Sequence, residues 1–374
     1  MTVLDARTLN RATLARQHLL TRADGTTGDA VRAMVGHLCG VQAQEPQEPF
    51  VGLWSRLSGF EPAALDAELT GRTLVRVHLM RRTVHLVTAA DMLAWRARHD
   101  AMLRQRVVGV YRRELDGLDL DAVAEAGRAA MADGEPRTKA ELVAAVRELW
   151  PDVPKQALGE LLVASLIPMV QLPPRGLWRT RAGVRNQTVA AWLGRDVDPL
   201  PVIDGDADPA EADPVGQRLV RRYLAAYGPA TSGDLRAWCG LAGLPAAVKA
   251  VRPELVTFRD ERGRELLDLP DAPRPDPDTP APVRFLPAFD NAILGYQDRS
   301  RIIDDAHLGV SVAGDRVLLV DGRATATWTV RDHTLHLTPF RTLTAPEREE
   351  IHAEAALLST FMDEDITDIH IPAA

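Results

Sequence analysis

The sequence predicts an α+β protein in which three winged-helix units precede a small antiparallel β-rich, barrel-like C-terminal domain. A winged helix is a helix-turn-helix followed by a β-hairpin. Three observations predict this fold class. Apolar residues at helical spacing give way three times to a pair of short alternating strands. Two stretches that disfavour regular structure divide the chain, and strand signals dominate after the second.

The first unit covers residues 1–88. Helical spacing is clearest at Val31, Met34, Val35 and Leu38, which recur at i, i+3, i+4 and i+7. The unit closes at residues 74–87, where apolar and polar residues alternate as in a strand and its return. Further helices are predicted at residues 5–20, 49–59 and 61–69.

The second and third units repeat this order. In residues 89–194, Thr138 and Glu141 form a capping box, and a hairpin is expected at 169–180 with Pro173-Pro174-Arg175-Gly176 at its tip. In residues 214–270, the hairpin is expected at 255–270. The alternative interpretation is an α/β helical-repeat scaffold without a nucleic-acid role.

Two stretches are predicted to be linkers or long surface loops. Residues 195–213 are acidic, and residues 271–282 hold five prolines, which forbid helix and disfavour central strand. Residues 283–374 form the predicted β-rich domain, which a helix from Ala345 to Met362 closes.

Composition and charge limit the class of protein. The 374-residue chain has only Cys39 and Cys239, so neither a disulfide framework nor a cysteine-based metal site is expected. It has no secretory signal pattern and no apolar run of membrane-spanning length, which predicts a soluble, cytoplasmic protein. The net charge of −8 is concentrated in residues 195–213 and 345–368, so the remainder is basic and a polyanionic partner stays open.

Three motifs carry a family resemblance. VQAQ at 41–44, HLMRRTVHLVTAAD at 78–91 and FLPAFDNAILGYQDR at 285–299 resemble, in order and spacing, the AlkZ-like winged-helix DNA glycosylases. The resemblance covers nearly the whole chain. It implies a C-shaped arrangement of the three units, with DNA against the concave face, and a repair enzyme that hydrolyses the N-glycosidic bond of alkylated purines, N7-alkylguanine in particular.

The same resemblance implies the catalytic residues. Family members carry a Gln-x-Gln or Gln-x-Asp pair, and this chain has Gln42-Ala43-Gln44, which places it in the Gln-x-Gln branch associated with the unhooking of interstrand crosslinks. Some members of the family unhook interstrand crosslinks left by a DNA-alkylating natural product and protect its producer.

Glutamines suit this chemistry because an N7-alkylguanine is already cationic and leaves without protonation. The remaining task is to place a water behind C1′ and stabilise positive charge on the sugar, which amides can do. If residues 41–44 run extended, Gln42 and Gln44 project to one side, whereas on a helix they would diverge by roughly 200°. An extended or turn conformation is therefore expected after a helix that ends near Gly40.

Basic residues predict the DNA-facing surface. The hairpin at 74–87 could present one polar edge to phosphates, and further arginines cluster near residues 175 and 299. The predicted DNA-binding residues are Arg76, His78, Arg81, Arg82, His85, Arg175, Arg179, Arg299 and Arg301. The histidines lack metal-ligand spacing, and Asp290 and Asn291 are expected to shape a turn that supports the active-site side of the C-terminal domain.

The leading hypothesis is therefore a monomeric, monofunctional DNA glycosylase that needs no cofactor or metal. It would act on double-stranded DNA with alkylated or crosslinked guanine, in the cytoplasm and on the nucleoid. No lysine lies near the glutamine motif to form a Schiff base, which predicts that strand cleavage needs another enzyme. The alternatives are a non-enzymatic winged-helix transcriptional regulator and a protein-interaction scaffold.

Overall fold

The computed structural model describes residues 2–201, 213–242 and 244–372. Within them the chain is a mixed α+β protein in which helices alternate with short strands. None of the helices in these ranges is long and apolar enough to cross a lipid bilayer. Most of the acidic stretch predicted as a linker, residues 202–212, lies outside the described residues.

The helices begin mostly at Thr or Asp caps, whose side chains accept a backbone N–H of the first turn. The helices of the described residues are α1 (Ala6–Arg16), α2 (Gly28–His37), α3 (Glu48–Trp54), α4 (Pro62–Thr70), α5 (Ala89–Val110), α6 (Leu120–Ala130), α7 (Lys139–Val146), α8 (Lys155–Leu161), α9 (Val189–Leu193), α10 (Pro214–Tyr227), α11 (Ser232–Cys239), α12 (Leu244–Val251), α13 (Asn291–Leu294), α14 (Leu308–Ala313) and α15 (Ala345–Met362).

In the part of the chain that the structure describes, the strands are short and form four sheets. The strands of the described residues are β1 (Val3–Leu4), β2 (Ala23–Asp24), β3 (Val41–Gln42), β4 (Leu57–Ser58), β5 (Leu74–His78), β6 (Val84–Thr88), β7 (Met169–Gln171), β8 (Asn186–Thr188), β9 (Val256–Asp260), β10 (Glu265–Asp268), β11 (Arg284–Leu286), β12 (Arg316–Val320), β13 (Arg323–Arg331), β14 (Thr334–Pro339) and β15 (Asp368–His370).

One five-stranded sheet joins the first two sequence units. Its order is β3-β6-β5-β7-β8, with all neighbours antiparallel. The predicted hairpin of residues 74–87 is present as β5 and β6, but β5 lies in the middle of the sheet because β7 pairs with its other edge. The units that the sequence divides at residue 88 therefore share a sheet.

The prediction of a hairpin at 169–180 is wrong for its second strand. The partner of β7 is β8, at Asn186–Thr188, and residues 172–185 form a long loop between them. Pro173-Pro174-Arg175-Gly176 begins this loop rather than forming the tip of a tight hairpin. Gly176 packs directly on the Arg76 side chain, where a Cβ atom would lie 2.5 Å from Cδ.

The third unit has the predicted hairpin as β9 and β10, which pair antiparallel after α10, α11 and α12. The N-terminal strand β1 adds to β9 in parallel, so the start of the chain packs on this unit. A fully buried ion pair between Arg16 and Asp268 joins α1 to the end of β10.

The C-terminal sheet is open in the described residues, so the barrel-like expectation is wrong. Its order is β11-β12-β13-β14-β15, and the last pair is parallel rather than antiparallel. The sheet shares one hydrophobic core with the first unit, in which Phe285 and Trp328 pack with Phe50 and Leu86. The predicted helix from Ala345 to Met362 is confirmed as α15.

The proline-rich stretch 271–282 contains no helix or strand, as predicted. It lies along α1, where Arg7 Nε donates to the Pro277 carbonyl at 2.7 Å and Arg11 Nε donates to the Thr279 carbonyl at 2.6 Å. This stretch returns the chain to the first unit, which brings the motif around Asn291 close to the glutamine segment.

Candidate active site

The glutamine segment lies at the edge of the five-stranded sheet. Helix α2 ends at His37, and Gly40, with φ of +97°, turns the chain into β3. A Cβ atom on Gly40 would lie 2.7 Å from Val87 Cγ1, so the close approach requires glycine. The extended conformation expected for the glutamines is confirmed at Val41–Gln42, and the chain turns from Gln44 onward.

Gln42 is nearly buried, and an arginine fixes its amide. The side chain is 7% exposed and its strand position lies opposite His85. Gln42 Oε1 accepts a hydrogen bond from Arg81 Nη2 at 2.7 Å. A guanidinium only donates, so the Gln42 oxygen must face Arg81 and its NH₂ group must point the other way. Within the described residues, no protein acceptor engages that NH₂ group.

Arg81 lies in the turn between β5 and β6. Arg81 and Arg82 have φ of 55° and 67°, a left-handed conformation that non-glycine residues rarely adopt. The two side chains diverge. Arg81 turns toward Gln42, whereas Arg82 Nη1 donates to Glu160 at 3.1 Å.

The C-terminal part supplies the third side of this cluster. Asn291 Oδ1 accepts from Arg81 Nη2 at 3.2 Å, and Asn291 Nδ2 donates to the Gly40 carbonyl at 3.4 Å. Asp290 caps α13 by accepting from the Ala292 N–H at 2.7 Å. The turn expected at Asp290 and Asn291 is present, and its support of an active site stays a prediction.

Asp290 is committed to a buried ion pair and does not reach the glutamines. Both of its oxygens accept from Arg56, at 2.8 and 2.9 Å, and both side chains are 3% exposed. The hydrogen bonds that join Gln42, Arg81 and Asn291 therefore involve no carboxylate among the described residues.

Gln44 is the more accessible glutamine. Its side chain is exposed, and Gln44 Oε1 accepts one long hydrogen bond, 3.3 Å, from the Val84 backbone N–H. Between the pair, Ala43 is fully buried and its N–H donates to the Val84 carbonyl at 2.8 Å. Both glutamine oxygens therefore face the β5–β6 hairpin.

Burial controls the titratable groups beside the pair. Desolvation lowers the pKa of Arg81 to about 10, so the guanidinium stays charged at neutral pH. Desolvation lowers the pKa of His85 well below its ordinary value, so this imidazole is neutral there. The described residues contain no group of three or more His, Cys, Asp or Glu arranged to hold a metal ion.

Three predicted DNA-contact residues are buried, so the exposed placement expected for them is wrong. Arg76 is 2% exposed because β7 covers its strand, and its Nη2 donates to the Ala43 carbonyl at 2.9 Å. His85 is completely buried between β3 and β5. Arg301 is 5% exposed and donates to the Pro229 carbonyl at 3.0 Å.

The other predicted contact residues keep some solvent exposure. His78 is half-buried, and Arg175 and Arg299 are half-buried with polar partners in the Ala182 carbonyl and Ser311. Arg179 is exposed and donates to the Met362 carbonyl at the end of α15.

Two residues escaped the sequence analysis. Arg106 on α5 is exposed, has no ion pair among the described residues and approaches Gly240 beside Arg81. Gln47, three residues after the Gln-x-Gln pair, joins this segment to the loop after β7: its Nε2 donates to the Leu177 carbonyl at 3.0 Å and its Oε1 accepts from the Arg179 N–H at 2.8 Å. Arg106 could have been noticed as an unpaired arginine on a helix, whereas no sequence signal points to the Gln47 contacts.

A cavity of about 660 Å³ lies near Arg299, away from the glutamines. Its lining includes Arg262 and Arg264, but both pair with Asp298 at its wall. These ion pairs neutralise two of its arginines and neither Gln42 nor Gln44 lines it, so we assign the candidate active site by the glutamine geometry instead.

Comparison with known proteins identifies the family. A family model described as DNA glycosylase AlkZ-like matches residues 35–361, which include the glutamines, Arg81 and Asn291. The chain belongs to the AlkZ-like DNA glycosylase family. Its members are enzymes, so the glycosylase prediction is confirmed at the level of the family.

One curated relative and one solved structure agree with this AlkZ-like assignment. The "Interstrand DNA cross-link repair glycosylase" of Streptomyces sahachiroi is 26% identical over 370 residues, covering 91% of each chain. The structure of Streptomyces sahachiroi DNA glycosylase AlkZ superposes with a TM-score of 0.76 at 21% identity. That match covers 99% of this chain and 100% of AlkZ, which shows a shared fold.

Proposed function

We propose that this AlkZ-like glycosylase hydrolyses the N-glycosidic bond of N7-alkylguanine in duplex DNA, with Gln42 and Gln44 as its catalytic pair. The observation that carries the proposal is the orientation of Gln42. Its carbonyl is held by Arg81 at 2.7 Å, its NH₂ group is free of protein acceptors among the described residues, and no carboxylate takes part. A catalytic pair without a carboxylate suits a leaving group that is already charged.

The two amides divide the work. Gln42 offers its NH₂ group, which can donate to a phosphate, a sugar oxygen or the edge of the departing base. Gln44 is exposed, and its oxygen has only the 3.3 Å contact with Val84 N–H, so a lone pair remains for a water. That water attacks C1′ as the bond to N9 breaks, the electron pair of that bond stays on the base, and the cationic base leaves as neutral N7-alkylguanine. The attacking water passes one proton to solvent, which leaves an abasic sugar.

Interstrand crosslinks are part of the proposed substrate range. The curated relative is named for crosslink repair, and this chain has the Gln-x-Gln pair. A crosslinked guanine is tied to its partner and cannot swing into a deep pocket as in ordinary base flipping. The exposure of Gln44 supports access to the sugar through a groove.

We further propose that the three helix-and-hairpin units act as winged helices that hold the duplex, within the domain limits set out above. Phosphate contacts would come from the residues that keep solvent exposure, namely His78, Arg82, Arg175, Arg179 and Arg299, together with Arg106. The enzyme would be monomeric and monofunctional. Its three lysines, Lys139, Lys155 and Lys249, all lie outside the first unit.

Incubation with two duplexes tests this function. One carries a single N7-methylguanine and the other a bis-N7-guanine crosslink. Release of the base, with an alkali-labile abasic site and an intact strand, supports a monofunctional glycosylase. Specific binding to an undamaged operator without base release would instead support the transcriptional regulator and overturn the proposal.

A further inference from the structure

Three separate parts of the chain converge on the Arg81 guanidinium. Arg81 Nη2 donates to Gln42 Oε1 at 2.7 Å on the sheet edge and to Asn291 Oδ1 at 3.2 Å on α13. Arg81 Nη1 donates to the Trp238 carbonyl in the last turn of α11. Carbonyls at a helix C-terminus carry partial negative charge, so this contact suits a cation.

The backbone at Arg81 has a left-handed conformation, and Gly240 packs against it. Arg81 has φ of 55°, a conformation that is unfavourable for an L-residue. Gly240, which ends α11 with φ of +76°, packs against the turn, and a Cβ atom there would lie 3.3 Å from Arg81 N and Cα. Strained conformations of this kind persist where the surroundings determine them and are common at active sites.

Arg81 differs from the ion-paired arginines of the interior. Arg16 pairs with Asp268 and Arg56 with Asp290, each through buried carboxylates. Arg81 has no carboxylate partner among the described residues, and Arg299 and Arg106 add further positive charge near it. Such a cation is costly to keep for stability alone, because desolvation is not offset by an opposite charge. Arg76 and Arg301 also have no carboxylate partner among the described residues, but neither donates to the side chain of Gln42 or Gln44.

We propose that Arg81 is a positioning residue that sets the orientation of the Gln42 amide, so that Gln42 meets DNA as a hydrogen-bond donor. This inference rests on the proposed function of the glutamine pair. Arg81 acts through Gln42 and does not serve as a DNA phosphate contact, which is the role that its sequence pattern suggested. Asn291 and Trp238 hold the guanidinium in place for this purpose.

A double-mutant cycle between Arg81→Met and Gln42→Ala tests the proposal. The rate of base release is measured under single-turnover conditions with saturating N7-methylguanine duplex, and the Kd for undamaged duplex is measured in parallel. We expect Arg81→Met to slow release about 10- to 100-fold, the size of effect that misplacement of a catalytic group produces. The Kd should stay within threefold of wild type, and the double variant should release base at the rate of Gln42→Ala alone.

Arg147→Met is the matched control. Arg147 is also half-buried, and its guanidinium donates to the Trp150 and Val153 carbonyls rather than to either glutamine, so its loss removes similar hydrogen bonds. Its release rate should match wild type. The proposal would be overturned if the double variant were slower than Gln42→Ala by the factor that Arg81→Met costs in wild type. It would also be overturned if the Kd of Arg81→Met rose by as large a factor as its release rate fell.

Two further outcomes keep the test decisive. If Arg81→Met does not fold, Arg81→Lys keeps a cation that cannot reach all three acceptors, and it should slow release without raising the Kd. An unchanged rate in Arg81→Lys would overturn the proposal. Absence of base release by the wild type would instead refute the proposed function. Failure of the positioning role of Arg81 can therefore be distinguished from failure of the glycosylase function.

Discussion

Removal of the Asp290 carboxylate should destabilise the protein without abolishing catalysis. Asp290 is the acid next to Asn291 in the chain, and a carboxylate-based glycosidase mechanism would need such a group as its acid, base or nucleophile. In the structure its oxygens accept from Arg56 at 2.8 and 2.9 Å and from the Ala292 N–H at 2.7 Å. The prediction therefore separates a structural acid from a catalytic one.

The expected loss of unfolding free energy in Asp290→Ala depends on the partners that Arg56 keeps. In Asp290→Ala, the Arg56 guanidinium keeps only the Gly52 carbonyl and Gln17 Oε1 as acceptors, at 2.9 and 3.1 Å, and loses its counter-charge. An uncompensated buried charge costs about 3–5 kcal/mol of unfolding free energy. Loss of the α13 cap adds about 1 kcal/mol. The Arg56→Met/Asp290→Ala double variant should recover much of this loss, because no buried charge is left unpaired.

The assay combines urea unfolding, followed by circular dichroism at 222 nm, with single-turnover release of N7-methylguanine at a temperature where each variant is folded. Asp290→Asn keeps a cap acceptor and should release base within tenfold of wild type. Loss of a general acid or base would cost about 10²- to 10⁴-fold. A loss of release rate of that size in Asp290→Asn, with unchanged stability, would refute the structural role. An Asp290→Ala variant whose unfolding free energy is less than about 1 kcal/mol below that of wild type would refute it as well.

Four further predictions follow from the same contacts. Gln44→Asp adds a base and should extend release to uncharged, less activated purines; activity confined to cationic bases would count against this. Gln42→Glu can still accept from Arg81 but lacks the NH₂ group, so release should fall about 100-fold, and full activity would show that Gln42 works as an acceptor. Gly240→Ala places a Cβ atom against Arg81 on a residue whose φ is +76°. It should lower the unfolding free energy by about 1 kcal/mol and also slow base release. A release rate and a stability equal to those of wild type would contradict this prediction. Burial lowers the pKa of His99 to about 4. The neutral imidazole therefore contributes fully to the unfolding free energy above its unfolded pKa near 6.5, and this contribution falls by about 3 kcal/mol as the pH drops to 4. Urea unfolding that shows the same pH dependence of stability for wild type and His99→Gln would contradict this prediction.

Features set by neighbouring residues were predictable from the sequence. The Thr138–Glu141 capping box is confirmed because both partners lie within one turn of α7. The extended glutamine segment after Gly40 is confirmed for the same reason, since a left-handed glycine fixes the exit from a helix locally. These are short-range consequences of residue type.

Features set by distant pairing were not predictable. Arg76 alternates with apolar residues as on a half-exposed strand, yet β7, which contains Gln171, 95 residues away, covers it. The sequence also gives no reason to separate Arg81 from Arg82. Only the folded turn sends one side chain to Gln42 and the other to Glu160, and Asn291 reaches Arg81 across 210 residues.

The central claim is that a pair of amides, without a carboxylate, cleaves the bond to a cationic base. It is tested most directly by single-turnover release of N7-methylguanine by wild type, Gln42→Ala/Gln44→Ala and Gln47→Ala. Gln47 is the matched control, because it lies in the same segment and its side chain hydrogen-bonds, among the described residues, only to the backbone of Leu177 and Arg179. We predict release by wild type and Gln47→Ala, and a loss of at least about 100-fold in the double variant. Full release by Gln42→Ala/Gln44→Ala would contradict the claim.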